Sequence, residues 1–290
     1  MPAITLGELT ALCDFSELET RVTEPLREAV ADAGTRLRFF GRYASWNGFF
    51  GSGVATLSGK IGRARGLFRD PGESIDALAD RSVFVASFVF DAARDEFDDH
   101  ETIYRDTHRD LAQAFVSGLI HFGREHSPPG TALEGLSQSE ALNHLLAEPE
   151  WLRTLNARVA TGYGAFLPDV RESLFQAIGY HLGSELLADR EFSIIDRTLR
   201  RELPELVEFL QGHRERIGAL DHGAYQWIAI HSGDGGAVEE DHFAKATESA
   251  NLALRYSPRE LHGELRERLH EGFRQFDADH RAFFSNVNRP

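Results

Sequence analysis

The sequence predicts an all-α fold, and three observations carry that expectation. Apolar residues recur at helical spacing in one stretch after another. No stretch alternates apolar and polar residues as a half-buried strand would. Breakers such as Pro71-Gly72, Pro128-Pro129 and Pro204 punctuate these stretches.

In chain order, the first helix is expected over Ser16 to Ala33, with Leu18, Val22, Leu26 and Val30 on one face and Asp32-Ala-Gly34 ending it. Leu37 to about Ala64 is rich in phenylalanine, glycine and small residues. It reads as a tightly packed central helix or a broken one. Glu73 to Phe97 reads as a strong helix opened by Pro71-Gly72 and filled by Val83, Phe84, Val85, Phe88, Val89 and Phe90. Thr102 to Phe122 is expected next, then a loop broken firmly at Pro128-Pro129. Two short helices are expected between Ser139 and Gly162, a long one over Val170 to Thr198, and another from Pro204 to about Arg216. Ala224 to Tyr256 should bend or break at Gly233, Gly235 and Gly236. Arg259 to Phe284 should close the chain as an amphipathic, mostly surface helix.

The whole chain, residues 1–290, reads as one domain with its core over roughly 35–256 and the first and last helices packed on it. The one rival boundary is near residue 130. Hydrophobic residues make up 42% and charged residues 27%, as in ordinary globular proteins. A net charge of −15 argues against nucleic acid or an anionic membrane as partner. Cys13 is the only cysteine, so neither an internal disulfide nor a thiolate cluster can form, which suits a cytoplasmic protein. No run approaches 18 apolar residues, and the N-terminus lacks the pattern of a secretory signal.

The chemistry-bearing residues lie in three stretches. Residues 225–251 hold His231 and His242, with Glu239, Glu240 and Asp241 just before the second histidine. On a helix, Glu239 and His242 share a face and can grip one metal ion. The plainer reading is a solvated helix start, where acids oppose the dipole. Residues 91–115 bring Glu96 and His108 to a helix corner, with Glu101 as rival acid and Asp98 a weaker one. Carboxylate and imidazole together suit non-haem iron, although DEFDDHE also reads as an exposed helix end. In residues 175–192, Glu185 sits among Ala177, Ile178, Leu182, Leu186 and Leu187, so it needs a cation, a metal or a proton. His181, one turn earlier, reads as a core histidine.

Taken in order, DEFD at 95–98, THRDL at 107–111, AIGYHLGSE at 177–185, YQWIAIH at 225–231 and EEDH at 239–242 resemble the haem-oxygenase-like diiron oxidases and oxygenases. That superfamily also includes the thiaminase II and pyrroloquinoline-quinone synthase branches. The resemblance implies a bundle of about seven core helices with extra short ones. It implies two ferrous ions held by Glu96, His108, Glu185, His231, Glu239 and His242, with Glu101 and Asp241 as rivals. It further implies O2 as co-substrate, a peroxo intermediate, and oxygenation, desaturation or C–C cleavage of a small amino-acid-, amine- or fatty-acid-derived substrate. Arg42, Tyr43 and Trp46 are the candidate substrate contacts, although core or surface placement is the plainer reading of that helix. A small-molecule substrate and a second copy of the chain are the partners expected. The alternative is a metal-free protein of the same fold that binds a ligand, serves another enzyme or works as a cofactor-free oxidase.

Overall fold

Asp14 opens the first long helix by accepting hydrogen bonds from the backbone of Ser16 and Glu17, an N-cap that satisfies two otherwise orphaned amides. In this computed structural model, which describes residues 3–97, 107–126, 135–232 and 238–289, helices dominate as expected. At Asp189 and residues 238–241 only the backbone is described. After the short α1 (Leu6–Thr10) come α2 (Phe15–Ala31), α3 (Ala33–Asn47), α4 (Phe50–Arg63), α5 (Asp76–Ala79), α6 (Ser82–Phe97) and α7 (His108–His126). Then follow α8 (Gln138–Leu145), α9 (Glu150–Gly162), α10 (Arg171–Glu202), α11 (Pro204–Gly212), α12 (Gln226–His231), α13 (Val238–Arg255) and α14 (His262–Asn286).

The glycine-rich stretch after Leu37 is the broken helix, two helices parted at Gly48-Phe49, where Phe49 N–H bonds the Trp46 carbonyl. Three local differences from the sequence reading have physical causes. The helix expected from Glu73 begins only at Ser82. Asp80 accepts from the Ser82 amide and hydroxyl, and Arg81 N–H bonds the Phe68 carbonyl, so residues 80–81 are held extended. Pro204 begins α11 at its first turn, where its missing N–H costs nothing, but the helix stops at Gly212. Residues 214–223 then form an antiparallel ribbon of β1 (Arg214–Ile217) and β2 (Leu220–Gly223), turned at Gly218 with φ of 62°. Its register pairs Glu215 with His222.

The largest correction concerns α14. It is not a surface helix. Leu265, Leu269, Phe273, Phe276, Phe283 and Phe284 are buried, along with Asp279 and His280. Its main partner is α10, and glycines let the two backbones meet. A Cβ at Gly179 would lie 1.8 Å from the Leu269 carbonyl oxygen, and one at Gly272 would lie 1.8 Å from that of Gln176. The core therefore extends past residue 256 to Val287 as one contiguous apolar cluster. Around α10 stand α2, α4, α12 and α13, with α6 against α4 and α13. Among the described residues, no helix is long and apolar enough to cross a membrane. The break between α12 and α13 expected at Gly233, Gly235 and Gly236 lies outside the described residues.

Candidate metal centre

Five helices each bring one or more polar side chains to the same place inside the bundle. Glu96 comes from α6, His108 from α7, Glu185 from α10, His231 from α12 and His242 from α13. Glu96, Glu185, His231 and His242 line one small cavity of about 40 Å³, with Asn47, Tyr163 and Glu191. That is room for one or two ions or a few waters, not for a substrate. His108 stands at its edge, its Nδ1 3.3 Å from Glu96 Oε2 and its ring 4.6 Å from that of His231.

The histidines are held in defined tautomers. His231 Nδ1–H donates to the Trp227 carbonyl at 2.7 Å, so Nε2 carries the ring's lone pair. The ring also stacks on Phe192, with centroids 4.3 Å apart. His242 Nε2 donates to Asp95 Oδ2 at 2.6 Å, while its Nδ1 is 3.8 Å from Glu185 Oε2. Two atoms bound to one ion at about 2.0–2.2 Å each can span that distance. An imidazole fixed by a carboxylate on one nitrogen and facing a donor set with the other is a frequent arrangement around metals. Glu185 Oε1 lies 3.2 Å from His181 Nδ1. Burial, and secondarily His242, push His181 down to about 3, so it is a neutral imidazole at ordinary pH.

The charge balance favours a cation. Burial alone would raise the Glu96 carboxyl, but His108, His231 and His242 outweigh it and hold Glu96 below its ordinary range, hence ionised. Burial and the charge of Glu185 push the Tyr163 phenol well up, so it stays neutral and donates to Ser184 Oγ at 2.7 Å. Glu191 forms the back wall, accepting from Tyr43 at 2.8 Å and from His280 Nε2 at 2.7 Å. Arg21 donates to His280 Nδ1 at 3.0 Å, which leaves the Nε2–H tautomer to face Glu191. Three carboxylates thus line the cavity, and among the described residues no lysine or arginine does.

Beside it lies a larger pocket of about 450 Å³, which shares Asn47, Glu96 and His231 with the cavity. His108, Arg109, Gln113, Glu148 and Trp227 complete much of its wall. This volume is in the range that takes small organic ligands.

Of the expected ligands, Glu96, Glu185, His231 and His242 line one cavity and His108 lies beside Glu96. Among the described residues, no three of the five have ligand atoms that all lie within 4.8 Å of one another. The side chains of Glu239 and Asp241, and Glu101 and Asp98 altogether, lie outside what the structure describes. The expected substrate contacts are elsewhere. Arg42 donates to the Val287 and Arg289 carbonyls, fastening the chain's end to α3. Trp46 is fully buried and stacked on Phe283 at 5.1 Å, and Tyr43 is spent on Glu191. None of the three lines either space. Asp95, Tyr163 and Glu191 were not singled out from the sequence. Asp95 was hidden in an acidic run that reads as an exposed helix end. Glu191 offered only an acid beside Phe192 on a helix already read as buried.

Comparison of the chain with models of protein families, with curated proteins and with solved structures finds no match.

Proposed function

We propose that this protein is a non-haem iron oxidase or oxygenase acting on a small organic substrate, with two ferrous ions held among Glu96, His108, Glu185, His231 and His242. The observation that carries the reading is the meeting of these side chains, from five helices, at one carboxylate-rich cavity beside a 450 Å³ pocket. The donor set fits iron: hard carboxylate oxygens and borderline imidazole nitrogens, with no thiolate. Bound ferrous iron would supply O2 activation and the oxidation of substrate carbon or nitrogen.

The chain's own residues have separable tasks. Asp95 and the Trp227 carbonyl orient His242 and His231. Glu96, kept ionised, offers negative charge to the ions. Tyr163 holds its proton, and with Phe50, Phe192 and Phe276 it gives the cavity an aromatic wall. Glu191, which accepts from Tyr43 and His280, places a further carboxylate on the cavity wall. Substrate would enter the larger pocket, with the exposed Arg109 able to meet an anionic end.

A metal-free ligand-binding role is the second reading. It is favoured by the direct pairing of Asp95 with His242 and the approach of Glu96 to His108, which offset charge without an ion. Oxygen uptake separates the two. Protein loaded with ferrous iron under anaerobic conditions and then mixed with O2 should consume it faster than free iron does, and Glu185→Gln should abolish the difference. Uptake no faster than that of free iron would refute the oxidase reading.

A further inference from the structure

A second cluster of ligating side chains lies far along α7 from His108. His121 is thirteen residues further on the same helix, about 20 Å at 1.5 Å per residue. There it meets His213, which follows α11, and Glu215 on β1. His213 Nε2 is 2.8 Å and His121 Nε2 3.3 Å from the same oxygen, Glu215 Oε1. All three ligand atoms lie within 4.8 Å of one another.

We propose that His121, His213 and Glu215 form a zinc-class divalent cation site that fastens the β1–β2 ribbon to α7. Two imidazole nitrogens and one carboxylate oxygen are a zinc donor set. Ligands on one such ion, at about 2.0–2.2 Å each, stand roughly 3–3.6 Å apart, close to the 2.8 and 3.3 Å by which the two imidazoles already approach Glu215 Oε1. The ligands are pre-positioned. His213 stacks on Phe209 with centroids 5.0 Å apart, and its carbonyl accepts from Ala224 N–H at 3.0 Å. Glu215 is fixed by the ribbon's register, opposite His222 on the same ribbon face. His121 is 37% and His213 27% exposed, so the ion can enter from water, and water can complete its shell. One ligand from α7, one from the residue joining α11 to β1 and one from β1 would tie down a ribbon of only four residues per strand. The ribbon leads through Ala224 and Tyr225 directly into α12, which carries Trp227 and His231. The cation would therefore steady the element that delivers His231 to the other cavity.

Zinc alone is the probe. Metal-free protein dialysed against zinc should lose one bound ion per chain on His213→Gln or Glu215→Gln, with circular dichroism unchanged. Zinc affinity at the site should fall at least tenfold. If His213→Gln folds poorly, His121→Gln, at the more exposed ring, serves instead. Cobalt substituted for zinc should give visible absorption bands that these variants lack. The same ion should remain in protein carrying Glu185→Gln and His242→Gln, so the result does not depend on the proposed iron centre. Unchanged zinc content in both His213→Gln and His121→Gln would overturn the proposal.

Discussion

Replacing Gly179 by alanine tests how α10 and α14 are held. The new methyl carbon would sit 1.8 Å from the Leu269 carbonyl oxygen, 2.6 Å from its carbon and 2.8 Å from its Cα. Ordinary contact begins near 3.4 Å, so the helices must part by roughly 1.5 Å, because a helix carbonyl cannot turn away without losing its own hydrogen bond. Overpacking of this kind costs about 3 kcal/mol or more, the upper end of the usual range. Alanine's better helix propensity returns about 1 kcal/mol, leaving a net loss of roughly 2 kcal/mol. Gly59, exposed within α4 with nothing within 4 Å of its would-be Cβ, is the internal control. There the same substitution should stabilise by about 1 kcal/mol. For a chain of this length 1 kcal/mol is worth about 2 °C. Calorimetry should therefore put Gly179→Ala about 4 °C below the parent and Gly59→Ala about 2 °C above it. Equal shifts of the same sign would refute the packing argument.

Gly51→Ala should disturb the proposed metal centre without replacing a ligand. Its Cβ would lie 2.9 Å from Glu96 Cβ and 3.2 Å from Oε2, so Glu96 must move. Iron affinity measured by dialysis should drop roughly tenfold, as when a supporting group is lost. Asp169→Asn should cost about 2 kcal/mol in urea unfolding. Lys60, buried in α4, keeps only the Leu167 carbonyl, and the figure is discounted from the usual cost of breaking a buried pair because Asp169 is 30% exposed. Arg63 and Lys60 hold Asp169 down to about 2, below the ordinary 3.8. Its stabilisation is thus whole above pH 3.8 and lost as pH falls through 2, a slope Asp169→Asn should lack. Asp279 behaves oppositely. Burial raises it to about 6 against the pull of Arg158, so its contribution is whole below pH 3.8 and lost as pH rises through 6. Unfolding of Asp279→Asn between pH 4 and 6 should lack that component.

The helical class was legible because periodicity is local, and so were most helix centres. Partnership was less legible. α14 carries enough charge to read as a surface helix, yet Gly272, Phe273 and Phe276 face a glycine-bearing helix some ninety residues earlier, and no local pattern announces such a match. The ribbon at 214–223 was missed because β1 alternates only between half-exposed and exposed residues and β2 buries only His222, too polar a pattern to register as a strand. In the site, Glu185 was legible as an acid in apolar company, and His108 and His242 as histidines near helix starts. Arg42 misled: an arginine among aromatics suggested substrate, but its guanidinium meets backbone carbonyls that only the folded C-terminus supplies.

The most direct test of the proposed iron centre is the amount of ferrous iron retained per chain after anaerobic equilibrium dialysis, compared among the parent, Glu185→Gln and His242→Gln. Each variant's fold is verified by circular dichroism. The account predicts close to two ions in the parent and a clear loss in both folded variants, since each removes a side chain lining the cavity. Iron retained equally by all three proteins, or by none of them, would contradict it.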